Sequence, residues 1–129
     1  MVKVKIINEV LGSPKDHVEK TLKLLMDAAR RNKDFKINSE KIFEARKLED
    51  NPFFSAFTEL EIEFKDLQDL IGFCFDFMPS SIEILEPGEL KMDSIRGSDL
   101  FNELMARLHQ NDMALKNALA ELAILKKKR

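Results

Sequence analysis

Two histidines, one cysteine and a row of glutamates are the residues in this chain with the types needed for catalysis or metal binding. His17 and His109 lie far apart, and neither has a Cys, Asp or Glu at a recognisable ligand spacing. Cys74 falls on the apolar stripe of a helix, where a thiol is packed and inert. A Cys–His nucleophilic pair therefore has no support. Glu59, Glu61 and Glu63 put three carboxylates on one face of a strand, a set that in principle could bind a divalent cation. The competing reading is a charge ladder against Lys3 and Lys5 on a neighbouring strand, and the order of the elements favours it. Gly12, Gly72, Gly88 and Gly97 are scattered, so neither a dinucleotide fingerprint nor a P-loop is present. Gly12-Ser13-Pro14, at a helix start, is the one candidate anion cradle, a property of any capped helix. No catalytic, cofactor-binding or metal-ligating residue is assigned, and the balance is against an enzyme.

The elements that would position these groups can be read from periodicity. Val2, Val4 and Ile6 alternate with Lys3 and Lys5, the period of a half-buried strand. Ser13 is a good N-cap, with Pro14 suited to the first helical position and Asp16 to the place of a capping-box acid. Val18, Leu22, Leu25, Met26 and Ala29 then share a helix face. An irregular strand is expected over Ile37–Leu48, with Phe43 and Ala45 pointing inward. After a loop at Asn51-Pro52, Phe54, Ala56, Thr58, Leu60, Ile62 and Phe64 share one strand face, opposed by Phe57 and the glutamates. Asp66 caps a second helix striped by Leu67, Leu70, Ile71, Cys74, Phe77 and Met78, and Pro79 ends it. Ile82 and Ile84 make a short last strand before Pro87-Gly88.

The order strand, helix, strand, strand, helix, strand is the split βαβ pattern: an α+β, ferredoxin-like sandwich over residues 1–90. Seven of the ten phenylalanines lie between Phe53 and Phe77, so the core is expected to be richest there.

Residues 91–97 read as a linker, and Ser98 as the cap of a long amphipathic helix within 98–129. A helix ending near residue 126 would have about 28 residues and a length of roughly 42 Å. Phe101, Leu108, Leu115 and Leu122 repeat every seven residues, with Leu104, Asn111, Ala118 and Leu125 between them. That is the seam of a coiled coil, and these eight residues are the candidate oligomerisation surface. Self-association as a dimer or tetramer is the leading expectation; folding back across the chain's own sheet is the alternative. Leu100, Met105 and Leu119 widen the stripe and favour a bundle over a two-stranded coil. Asn111 in the seam reads either as a register-fixing polar residue or as an imperfection facing water.

Composition sets outer bounds. The 129 residues are 44% apolar with a net charge of −2, enough for a packed core. The near balance of 21 basic and 23 acidic residues argues against a protein devoted to nucleic acid. RNA-recognition domains of this topology carry stacking aromatics at the outward positions of the central strands, which here are Lys3, Lys5, Glu59, Glu61 and Glu63 with only Phe57 aromatic. A nucleic-acid role would instead use Lys15, Lys20, Lys23, Arg30, Arg31 and Lys33 with the tail Lys126-Lys127-Lys128-Arg129, and it stands second. Four terminal cations more simply complement a helix dipole. No apolar run reaches the roughly 18 residues of a membrane span, and the first ten residues alternate instead of forming a signal peptide's apolar block. A single cysteine leaves no internal disulfide framework and fits a reducing compartment, hence a cytoplasmic expectation.

The segment Phe57–Leu90 adds a resemblance. Its strand LEIEF, the helix KDLQDLIGFCFDF and the closing PSSIEILEPGEL are similar to the C-terminal extension of bacterial WYL-domain transcription regulators. Ile82, Glu83, Ile84, Leu85, Glu86, Pro87, Glu89 and Leu90 stand at the places of that extension's closing motif. The resemblance implies a ferredoxin-like fold and an assembly or regulatory module. It transfers no functional residue, because the family's helix-turn-helix, WYL segment and Arg-rich sensing residues have no counterpart here. An interaction module that senses a small ligand or scaffolds a complex is the functional expectation.

Overall fold

The alternation that begins at Val2 persists for eleven residues, so the first strand, β1, runs Val2–Gly12. The computed structural model describes residues 1–128, and the chain divides into two compact units, the first spanning Met1–Leu90. After β1 come α1 (Lys15–Arg31), β2 (Phe35–Lys47), β3 (Phe54–Phe64), α2 (Leu67–Phe77) and β4 (Ser81–Glu86). The strands form one antiparallel sheet in the order β2-β3-β1-β4, the arrangement expected of a ferredoxin-like α+β fold.

Period two decides which residues meet the helices. Val2, Val4 and Ile6 of β1 and Ala56, Leu60, Ile62 and Phe64 of β3 are buried, and register sets Val4 opposite Ile62 and Ile6 opposite Leu60. Val18, Leu22, Met26 and Ala29 are the buried stripe of α1, with Leu25 half-buried beside them. Asp66 caps α2 by accepting from the Asp69 N–H at 3.0 Å. The helix ends at Met78, in the left-handed region at φ 45°, one residue before Pro79. α2 buries Leu70 and Phe73. Phe73 is absent from the expected stripe, yet it lies at the centre of an aromatic cluster. Its ring stands 5.2 Å from Phe35, 5.6 Å from Phe64 and 4.7 Å from Phe77. The phenylalanine-rich stretch thus supplies most of this cluster, and β2 supplies Phe35.

Two expectations are corrected. Ser13 is not the cap of α1: Pro14 takes that position without a side-chain hydrogen bond, and its carbonyl accepts from the Val18 N–H at 3.2 Å. Phe43 does not point inward with Ala45. The register of β2 shifts between Ile37 and Ser39 and again between Phe43 and Arg46. Each shift inserts an extra residue and reverses the facing of the residues beyond it. Ala45 therefore joins the core beside Ala56, while Phe43 pairs with Phe57 on the opposite face, ring centroids 4.4 Å apart. The loop between β2 and β3 closes where expected: Asn51 Oδ1 accepts from the Phe53 N–H at 2.9 Å.

Candidate functional site

The open face of the sheet displays the three glutamates. Register places Glu63 between Lys3 and Lys36, Glu61 between Lys5 and Ser39, and Glu59 between Ile7 and Lys41. Lys5 Nζ reaches diagonally to Glu59 Oε1 at 2.6 Å. That hydrogen bond, and then the charge attraction, hold the Glu59 carboxyl below its ordinary value and the Lys5 ammonium above its own. The acidic row is therefore matched by lysines from both neighbouring strands, and β2 adds cations that alternation alone does not place. Phe57, the one aromatic of β3 on this face, is covered by Phe43, over which Lys41 stands at 5.2 Å. Among the described residues no three of His, Cys, Asp or Glu come together as a cation-ligand set.

The other reactive types are dispersed. His17 is exposed in the first turn of α1, and His109 is exposed in the second unit. Cys74 is half-buried on α2, where burial pushes its thiol above the ordinary range, the reverse of what a nucleophile needs. Two of the cations on α1 are held by carboxylates. Arg30 grips Glu40 of β2 through Nε and Nη2, and its Nη1 donates to Asp27 at 2.8 Å. Lys15 lies 3.9 Å from Glu19. The Arg30–Glu40 clamp joins helix to strand across ten positions and leaves no signature in the sequence.

The second unit begins at Lys91 and consists mainly of α3 (Ser94–Lys127). Its 34 residues span about 51 Å, longer than expected because the helix starts four residues before Ser98. Asp93 is the cap, accepting from the Arg96 N–H at 2.8 Å, and the Gly97 N–H closes on the Asp93 carbonyl at 2.9 Å. Ser98 is helical instead, its hydroxyl donating to the Ser94 carbonyl at 2.8 Å. The span read as a linker is thus mostly the first turn of the helix, Gly97 included. Lys126 and Lys127 in the last turn complement its dipole; Arg129 of the basic tail lies outside the described residues.

No residue of α3 is buried. The large side chains at the first seam position are between 46% (Leu108) and 66% (Phe101) exposed. Leu125 is exposed, as are Asn111 and Ala118, and Leu104 is half-buried. All eight seam residues fall within one uninterrupted helix, on the stripe that the seven-residue spacing defines. Such an apolar stripe exceeds the scattered exposed leucines of an ordinary surface. Among the described residues no helix is long and apolar enough to cross a membrane.

Comparison with known proteins gives a relative but no described activity. "Uncharacterized protein MJ0538" of Methanocaldococcus jannaschii is 31% identical over 108 residues, covering 82% of this chain and 38% of the relative. The chain therefore spans well under half the length of the curated relative it matches. No solved structure matches it. The model of the MJ0538 family matches residues 3–127, from the second residue of β1 to the end of α3, and the chain belongs to that family.

Proposed function

We propose that this chain is a non-enzymatic interaction module that self-associates through α3, while the sandwich of residues 1–90 is the body that the assembly carries. The observation behind this reading is the four-heptad apolar seam on a 34-residue helix with no buried residue. Water-exposed leucines on a regular stripe cost free energy that burial against another helix recovers, at about 25 cal/mol per Å². The lysine-matched glutamates and the raised Cys74 thiol favour binding over catalysis. One comparison and the sequence resemblance described above support the same reading. The matched region makes up 38% of its relative, as a module within a longer protein would. The likeness of Phe57–Leu90 to the extension of WYL-domain regulators suggests a body suited to assembly or regulation.

Light scattering on the full chain and on a chain ending at Lys91 tests the proposal. The full chain is expected to be an oligomer and the shortened chain a monomer. A full chain that is already monomeric removes the proposal.

A further inference from the structure

We infer that the partner of α3 is a second copy of the same helix, parallel and in register, in a two-stranded seam. The inference rests on the self-association proposed above and adds orientation and number. It comes from the residues flanking the seam. In a parallel, in-register coil, the residue just before a first seam position faces the residue five places further along the partner. This sets Arg107 against the partner's Asp112, and Glu121 against the partner's Lys126, both pairs of opposite charge. The remaining flanking pairs, Leu100 with the partner's Met105 and Ala114 with the partner's Leu119, are apolar. No like charges meet. Leu100, Met105 and Leu119, whose width alone favours a bundle, cover one another with Ala114 along the flanks of the two-stranded seam, and the two pairs of opposite charge decide for it.

The antiparallel alternative fares worse. With all eight seam positions overlapping, it keeps one kind of attractive pair, Arg107 with the partner's Glu121, whereas the parallel coil has two kinds of attractive pair and no repulsive one. The antiparallel coil sets Asp112 against the partner's Asp112, a repulsive contact at the middle of the interface. It also places Asn111 opposite the partner's Leu115, leaving the amide against a hydrocarbon side chain. The parallel arrangement brings Asn111 beside the partner's Asn111, where one amide donates to the other. Asp112 is accessible for an intermolecular pair: its carboxylate side chain is 54% exposed and bridges Lys116 at 2.8 Å along the same helix.

Two measurements on the full chain test this. The first places one cysteine in the seam, Ala118→Cys, in a Cys74→Ala background, and oxidises the protein at equilibrium. Parallel register predicts a disulfide-linked dimer from this chain alone. A dimeric mass without that cross-link, combined with cross-linking between Leu108→Cys and Ala118→Cys chains when mixed, overturns the parallel orientation and leaves self-association standing. A monomeric mass overturns both. The second replaces Asp112 with Asn and keeps Cys74. Loss of two symmetry-related Arg107–Asp112 pairs is expected to raise the dimer dissociation constant about three- to tenfold. A lowered constant, as relief of an Asp112–Asp112 contact would give, overturns the proposal.

Discussion

Leu115→Ala probes the seam at its centre. Leu115 is 59% exposed in the single chain, so most of its surface remains to be covered. Full burial of a leucine side chain is worth about 1.5–3 kcal/mol. The share still exposed corresponds to about 1 kcal/mol per chain, and a symmetric dimer counts it twice. The variant should therefore weaken dimerisation by about 2 kcal/mol, close to a 30-fold rise in the dissociation constant. Alanine has the higher helix propensity, so the helix itself is not weakened. Sedimentation equilibrium reads the association constant, and thermal unfolding monitored at a concentration below dissociation reads the single chain. An unchanged dissociation constant would refute the reasoning. So would a clear loss of single-chain stability, because it would mean that Leu115 is packed within its own chain.

The remaining predictions concern particular contacts. Phe73→Ala should destabilise the sandwich by about 3–5 kcal/mol in denaturant unfolding, because it empties the centre of a cluster of four phenylalanines. Gly97→Ala should stabilise the start of α3 by up to about 1 kcal/mol, visible as a higher melting temperature of the helical circular dichroism signal. The added Cβ would meet only Met92 Sδ, at 3.6 Å. Glu40→Gln should remove part of the acid sensitivity of folding. Its hydrogen bonds with Arg30 hold Glu40 below the ordinary carboxylate value of 4.5. A carboxyl whose value is lower in the folded state contributes stability that is present above the unfolded value and is lost as pH falls through the folded one. Unfolding free energy measured between neutral and acid pH should therefore fall less steeply in the variant, by about 0.2–1 kcal/mol for a screened surface pair.

The fold was legible wherever periodicity was strong. β1, β3 and α1 each bury one regular face, and most of their inward residues could be read from the spacing of apolar residues, Asn8 of β1 being the buried polar exception. β2 resisted because two inserted residues break its period of two, and a simple alternation assigned Phe43 to the wrong face. Ser13 and Ser98 were reasonable caps by type. Pro14 and Asp93 took those positions, and the choice depends on where the chain turns more than on the cap residue itself. Phe73 escaped because Ile71, Cys74 and Met78 made an equally acceptable stripe on a helix of only eleven residues. The seven-residue repeat was legible because it needs no tertiary register, and the eight residues that carry it all fall within α3. The Arg30–Glu40 clamp and the Phe43–Phe57 stack were not, since both depend on tertiary register.

The mass of the full chain in solution tests the role of α3 most directly. Sedimentation equilibrium over a range of concentrations should approach at least twice the 14.9 kDa of one chain, and should fall to 14.9 kDa when Leu108 and Leu115 are both replaced by lysine. A mass of 14.9 kDa at every concentration for the unaltered chain would contradict the account.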